Sequence, residues 1–164
     1  MEIIVREYEE KDVPEMVNIW NEIVAEGTAF PQSEPLGLTG GKEFFAGQTS
    51  CGVAESGGKI VGMYILHPNN VGRCGHICNA SYAVSGKMRG LHIGESLVRH
   101  CMKTASEKGF RILQFNAVVS TNTAALKLYE KLGFIRLGVI KEGFQKDDGT
   151  YEDIIPHYIN LGNL

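Results

Sequence analysis

Ile77-Cys78-Asn79-Ala80-Ser81-Tyr82-Ala83-Val84, continued by Ser85-Gly86-Lys87-Met88-Arg89-Gly90-Leu91-His92-Ile93-Gly94, is the stretch on which the fold turns. Its first half carries Tyr82 and Val84 in an apolar run and predicts a strand. Its second half holds three glycines and two fixed positive charges and predicts a loop. From about His92 onward, Ile93, Leu97, Cys101 and Ala105 recur every fourth residue, one stripe of a helix. Gly109 follows the last of them, where a helix C-terminus favours glycine.

A loop that feeds a helix N-terminus leaves backbone N–H groups unpaired at the positive end of the helix dipole. Such an end binds phosphates, and glycines let the backbone approach them closely. Lys87 and Arg89 add charge, and an arginine grips a phosphate through two parallel bonds. The alternative is an ordinary strand-to-helix turn with exposed basic residues; a glycine-rich loop alone does not decide between them.

Arg89-Gly90-Leu91-His92-Ile93-Gly94 resembles the coenzyme A pyrophosphate loop of the GNAT acetyltransferase superfamily. That loop has Gln or Arg first, Gly fourth, and Gly or Ala sixth. Arg89 and Gly94 match, whereas His92 departs at the fourth position. Where the glycine serves a positive φ, His92 alters the loop geometry; alternatively its ring donates to a phosphate. Asn122, Ala125 and Leu128-Tyr129-Glu130-Lys131-Leu132-Gly133-Phe134 resemble the second, more specific signature of the superfamily. The resemblance implies one acetyltransferase domain over residues 1–164. It implies an α/β (α+β layered) acyl-CoA N-acyltransferase fold, with a mixed, mostly antiparallel twisted sheet and helices on both faces. It also implies acetyl-CoA as co-substrate. By position, the cofactor-binding residues would be Tyr82, Val84, Lys87, Arg89, Gly90, Leu91, His92, Ile93, Gly94, Glu95, Ser96 and Asn122.

Composition sets the outer bounds. The chain has 164 residues, 43% of them apolar and 21% charged, ordinary for a soluble domain with a real core. No apolar run approaches the roughly 18 residues of a membrane span. The first residues lack a basic segment leading into an apolar core, so a cytoplasmic location is expected. The net charge of −3 argues against a general nucleic-acid binder. Acids crowd residues 1–27 and bases crowd residues 87–111, which suits an anionic cofactor near the glycine loop. Cys51, Cys74, Cys78 and Cys101 are expected to be reduced thiols. No metal site is expected: on an extended segment Cys74 and Cys78 lie about 13 Å apart, beyond the reach of zinc–sulfur bonds of about 2.3 Å.

The remaining elements follow in order. Ile3-Ile4-Val5-Arg6 predicts a strand. Asp12, Pro14 and Glu15 predict a capped helix start, with Met16, Ile19, Trp20 and Ile23 as its buried stripe and Gly27 as its end. Residues 28–33 are irregular; in the resembling family this region often lines the acceptor site, and the alternative is a linker with a packed Phe30. A short helix is predicted over 42–48. A hairpin is predicted over 50–55 and 59–67, turning at Ser56-Gly57-Gly58. Strands are predicted over 111–119, 134–140 and 153–159, with a turn at Asp147-Asp148-Gly149. A helix is predicted over 122–132, capped by Ser120 or Thr121.

The resemblance assigns Tyr129 to the chemistry: in that family the matching tyrosine protonates the departing thiolate of coenzyme A. A phenol with pKa near 10 stays protonated at neutral pH, and a thiol near 8.5 is a fair stand-in for the leaving group. The other reading of Tyr129 is a core tyrosine packed beside Leu128 and Leu132. Asn122 matches a family residue near the pantetheine arm, and it also suits a helix cap. Tyr82 and Val84 lie where the family strand offers backbone groups to pantetheine, with an N–H near Val84 polarising the thioester carbonyl.

Many members supply a carboxylate base from the central strands. Here the strand positions hold Asn79 and Asn116, which cannot act as bases but can orient a water or an acceptor. These asparagines resemble the branch of the superfamily that acetylates proline analogues and small amino acids; alternatively they satisfy backbone groups. His76 is the other titratable group nearby. The implied function is N-acetylation of a small-molecule amine by direct attack in a ternary complex. A non-catalytic acyl-CoA sensor and an acetyltransferase of protein amines are the alternatives. The sequence leaves monomer or homodimer open.

Overall fold

The computed structural model describes residues 1–163. Nine strands and four helices follow one another as β1 (Ile4–Glu7), α1 (Val13–Glu26), α2 (Leu38–Ala46), β2 (Ser50–Ser56), β3 (Lys59–Pro68), β4 (Ile77–Val84), α3 (Ile93–Glu107), β5 (Ile112–Phe115), α4 (Thr123–Lys131), β6 (Ile135–Arg136), β7 (Ile140–Gln145), β8 (Tyr151–Ile154) and β9 (His157–Asn160) among the described residues. Seven strands form one sheet in the order β1-β2-β3-β4-β5-β9-β6, and β7 and β8 form a separate hairpin. Every pairing in the large sheet is antiparallel except β4 with β5.

The central strands are apolar on both faces because both faces are covered. Along β3, Tyr64 and Leu66 point into a core built on α3 and α4. Met63 and Ile65 point the other way, onto α1 and α2, beside Trp20 and Phe45. The stripe Ile93, Leu97, Cys101, Ala105 is buried throughout. It lies so close to β3 that a Cβ on Gly62 would sit 3.0 Å from Leu97 Cδ1 and 3.1 Å from Ile93 Cγ2. Among the described residues, no helix is long and apolar enough to cross a membrane.

The parallel pair positions the site. β4 and β5 are in register only at Ile77–Ile112 and Cys78–Leu113. Beyond Cys78 they splay, so among the described residues the β5-facing edge of β4 has no strand partner from Asn79 to Val84. Asn79 bridges the fork, its Nδ2 donating to the Gln114 carbonyl at 2.8 Å.

Several local expectations are corrected. Asp12 does not cap α1 with its side chain. Its carboxylate instead takes two bonds from Arg6, at 2.8 and 3.0 Å, and one from the Glu9 N–H at 2.7 Å. The second helix begins at Leu38 rather than 42, because Gly41 packs its bare Cα against Val17 instead of breaking the helix. β5 ends at Phe115, not 119, because the fork carries the chain out of the sheet. Asn122, not Ser120 or Thr121, caps α4, accepting from the Ala125 N–H at 3.2 Å. The turn at 147–149 joins β7 to β8, two strands that fall outside or across the predicted 134–140 and 153–159.

The Arg6–Asp12 pair makes a pH prediction. Arg6 holds the Asp12 carboxyl below its ordinary value of 3.8. Its stabilising contribution is therefore complete above the unfolded-state value and is lost as pH falls through the lowered one. Asp12→Asn is expected to cost about 1–3 kcal/mol at pH 7, because two charge-assisted bonds are weakened. The cost should shrink as pH falls through the lowered value. Urea melts of both proteins at pH 7 and in acid check it; an equal cost at both pH values would assign the loss to packing.

Candidate active site

Two cavities meet on the forked side of the sheet. The larger, about 730 Å3, runs from the glycine loop along β4 and the start of α3 to α4. The smaller, about 170 Å3, lies between Ala29-Phe30-Pro31, the β4–β5 fork and α4. Ala29, Tyr82, Asn122, Ala125 and Tyr129 line both, so the two spaces share one wall.

The glycine loop turns through left-handed backbone at two positions, one of them not a glycine. Gly90 has φ +82° and His92 has φ +59°. A side chain in the left-handed region costs about 1–2 kcal/mol, so His92 keeps the backbone shape that glycine would give, at a cost in strain. Arg89, Gly90, His92, Ile93, Gly94 and Glu95 line the larger cavity, with Val84 and Tyr82 from β4. Lys87 and Leu91 are exposed and outside its lining. Ser96 is also outside it; its hydroxyl donates back to the His92 carbonyl at 3.3 Å. Glu95 takes bonds from Lys131 at 2.7 Å and Arg99 at 2.9 Å, which hold its carboxyl below the ordinary carboxylate value and tie α3 to α4.

Tyr129 stands at the junction. Its ring packs 4.5 Å from Phe115, 5.3 Å from Phe134 and 5.7 Å from His157. Burial, the main cause, pushes its hydroxyl well above the ordinary phenol value. The same dry surroundings push the thiols of Cys78 and Cys101 up to about 12.

The Tyr82 hydroxyl is buried without a hydrogen-bond partner among the described residues, and burial raises its pKa too. His157 donates from Nδ1 to the Ile155 carbonyl at 2.6 Å, which fixes the ring's orientation and keeps a proton on Nδ1, while Nε2 is buried with no partner among the described residues. Burial pushes its pKa down, outweighing the Ile155 bond, which raises it.

The asparagines are partly engaged. Asn79 lines the smaller cavity while its NH2 serves Gln114, as above. Asn116 lies in the loop after β5, not inside a strand; its Nδ2 donates to Asn69 Oδ1 at 2.6 Å. His76 is exposed and lines neither cavity. No Asp, Glu or His is among the residues that line the smaller cavity.

Sequence reasoning missed four neighbours of the site. Phe115 and His157 back Tyr129 from β5 and β9. On α1, Glu26 pairs with Arg89, Nη2 to Oε1 at 2.5 Å, and Glu22 accepts from the Gly86 N–H at 3.1 Å. The four-residue spacing of Glu22 and Glu26 was the only signal that both face one way.

Residues 13–134 match the acetyltransferase (GNAT) family. The chain belongs to that family. It is similar to the N-acetyltransferase aca1 of Schizosaccharomyces pombe, 39% identical over 106 residues, which is 64% of this chain and 51% of the yeast protein. The chain thus spans about half the length of that relative. The structure of a GCN5-related N-acetyltransferase from Kribbella flavida is 29% identical, with TM-score 0.88 over 96% of this chain and 97% of that one. A phosphinothricin acetyltransferase from Sinorhizobium meliloti, solved in complex with acetyl-CoA, shares the fold. It is 21% identical, with TM-score 0.90 over 98% of this chain and 89% of that one. Acetyl-CoA as acyl donor fits the family to which the chain belongs.

Proposed function

We propose that this GNAT chain transfers an acetyl group from acetyl-CoA to the amine of a small molecule, by direct attack with donor and acceptor bound together. The observation that carries the reading is the shared wall. A long cavity that begins at a phosphate-cradle loop and a short cavity of acceptor size meet at Tyr129. In this reading the loop residues from Arg89 to Glu95 hold the diphosphate, and the open edge of β4 pairs with the pantetheine arm as an added strand. A backbone N–H near Val84 polarises the thioester carbonyl. The amine attacks that carbon, the C–S bond breaks, and the Tyr129 hydroxyl gives its proton to sulfur. Asn122 contributes its free amide, because its Oδ1 is spent on the α4 cap.

The acceptor amine must lose a proton, and no carboxylate or imidazole lines its cavity. The proton therefore leaves through water, with Asn79 and Asn116 as orienting groups. A small amino acid or proline analogue suits the volume, and the likeness to the S. meliloti phosphinothricin enzyme makes that class the first to try.

The test is a thiol-release screen of amino acids, proline analogues, polyamines and peptide N-termini with acetyl-CoA. The expected hit is a small amine whose kcat/KM rises about tenfold per pH unit toward its own pKa. Turnover confined to peptides would transfer the function to protein amines. Cofactor binding with no turnover on any amine would make the chain a sensor.

A further inference from the structure

The larger cavity is shaped for an anion but is not charged for one. Its ionic lining is Glu26 and Glu95 against a single guanidinium, Arg89. Glu95 is offset from behind by Arg99 and Lys131. Glu26 is different: its carboxylate sits on Arg89 itself. A carboxylate on a guanidinium makes the contact a phosphate oxygen would make. One turn earlier on α1, Glu22 holds the Gly86 N–H, at the other end of the loop. The fit there is close, since a Cβ on Gly86 would lie 2.8 Å from Glu22 Oε1. The acidic face of α1 thus engages the loop at two points, one a backbone donor and one the arginine.

We infer that Glu26 is a built-in competitor for the diphosphate of the cofactor, occupying Arg89 until the ligand displaces it. The inference rests on the reading of the Arg89 loop as the diphosphate site. Binding then exchanges one anion on Arg89 for another, and the displaced carboxylate remains beside the incoming charge. Glu26 lowers cofactor affinity on both counts, and release of coenzyme A after turnover is speeded by the carboxylate waiting to return. Glu22 makes no such exchange; it fixes where the loop begins.

Calorimetric titration of coenzyme A into the full chain, as wild type, Glu26→Gln, Arg89→Gln and the double variant, decides the matter. Glu26→Gln keeps the side-chain shape and is expected to bind about three- to tenfold tighter, the size of one half-screened charge interaction. In the Arg89→Gln background most of that gain should vanish. Glu26→Gln binding as wild type, or weaker, overturns the inference while leaving the site intact, because Glu26 would then be orienting Arg89 for its ligand. A gain kept in full without Arg89 overturns it as well, leaving only repulsion at a distance. Binding untouched by Arg89→Gln overturns the diphosphate site and the inference together. Thermal melts of the four proteins without ligand separate these outcomes from misfolding.

Discussion

Tyr129→Phe is expected to lower kcat by about 10²–10⁴-fold, the usual contribution of a positioned acid, and to change the affinity for acetyl-CoA by less than about twofold. The variant loses one oxygen and keeps the ring that packs on Phe115 and Phe134. Stability should therefore hold or rise slightly, since no protein partner of that hydroxyl is found among the described residues. The pH profile adds a second readout. Burial raises the Tyr129 pKa above the ordinary phenol value, so the proton is still in place at pH 10. The wild-type rate should accordingly show no decline near pH 10 traceable to this group. A buried phenol that ionised at its solution value would give one. Single-turnover kinetics isolate the chemical step. If the phenylalanine variant turns over at the wild-type rate there, the thiolate leaves unaided and Tyr129 is only a packed aromatic.

What the sequence disclosed, and what it hid, divides along physical lines. The stripe Ile93, Leu97, Cys101, Ala105 was legible because a helix buried on one face repeats every turn. The strand before it was legible because both its faces are covered. The end of β5 was not: Ala117-Val118-Val119 continues the apolar run, and only the fork, a tertiary feature, takes it out of the sheet. The last hairpin was hidden for another reason. β7 is exposed at most of its positions, so it carries no burial signal to read.

In the site, Asn122 and Tyr129 stand one helix apart and could be found by motif. Glu26 and Arg89 are 63 positions apart and meet only in the folded chain. His92 shows a different limit. Its identity argued against a glycine-like turn, yet the backbone adopts one, because α3 and the sheet fix the loop at both ends.

Phe115→Ala should be the most damaging single change near the site, costing about 3–5 kcal/mol, as large aromatic truncations in a core do. Phe115 is 4% exposed and holds three aromatic neighbours at once. It stacks on Phe134 at 4.9 Å, tilts against Tyr129 at 4.5 Å and meets Tyr82 edge-on at 5.7 Å. Removal forfeits the buried area and opens a hole that these neighbours cannot fill, because β5 and β9 fix the backbone around Phe115 and His157. For a chain of this size the melting temperature should fall by roughly 6–20 °C.

The effect on catalysis follows from the same contact. Without the phenyl ring, Tyr129 is no longer held at the wall shared by the two cavities, and water gains entry to a place where dryness raises the pKa of its phenol. Scanning calorimetry and kcat measured well below the new melting point check the two halves separately. A large loss of stability with kcat intact would show that Phe115 supports the fold alone, and that Phe134 with His157 suffices to place the tyrosine.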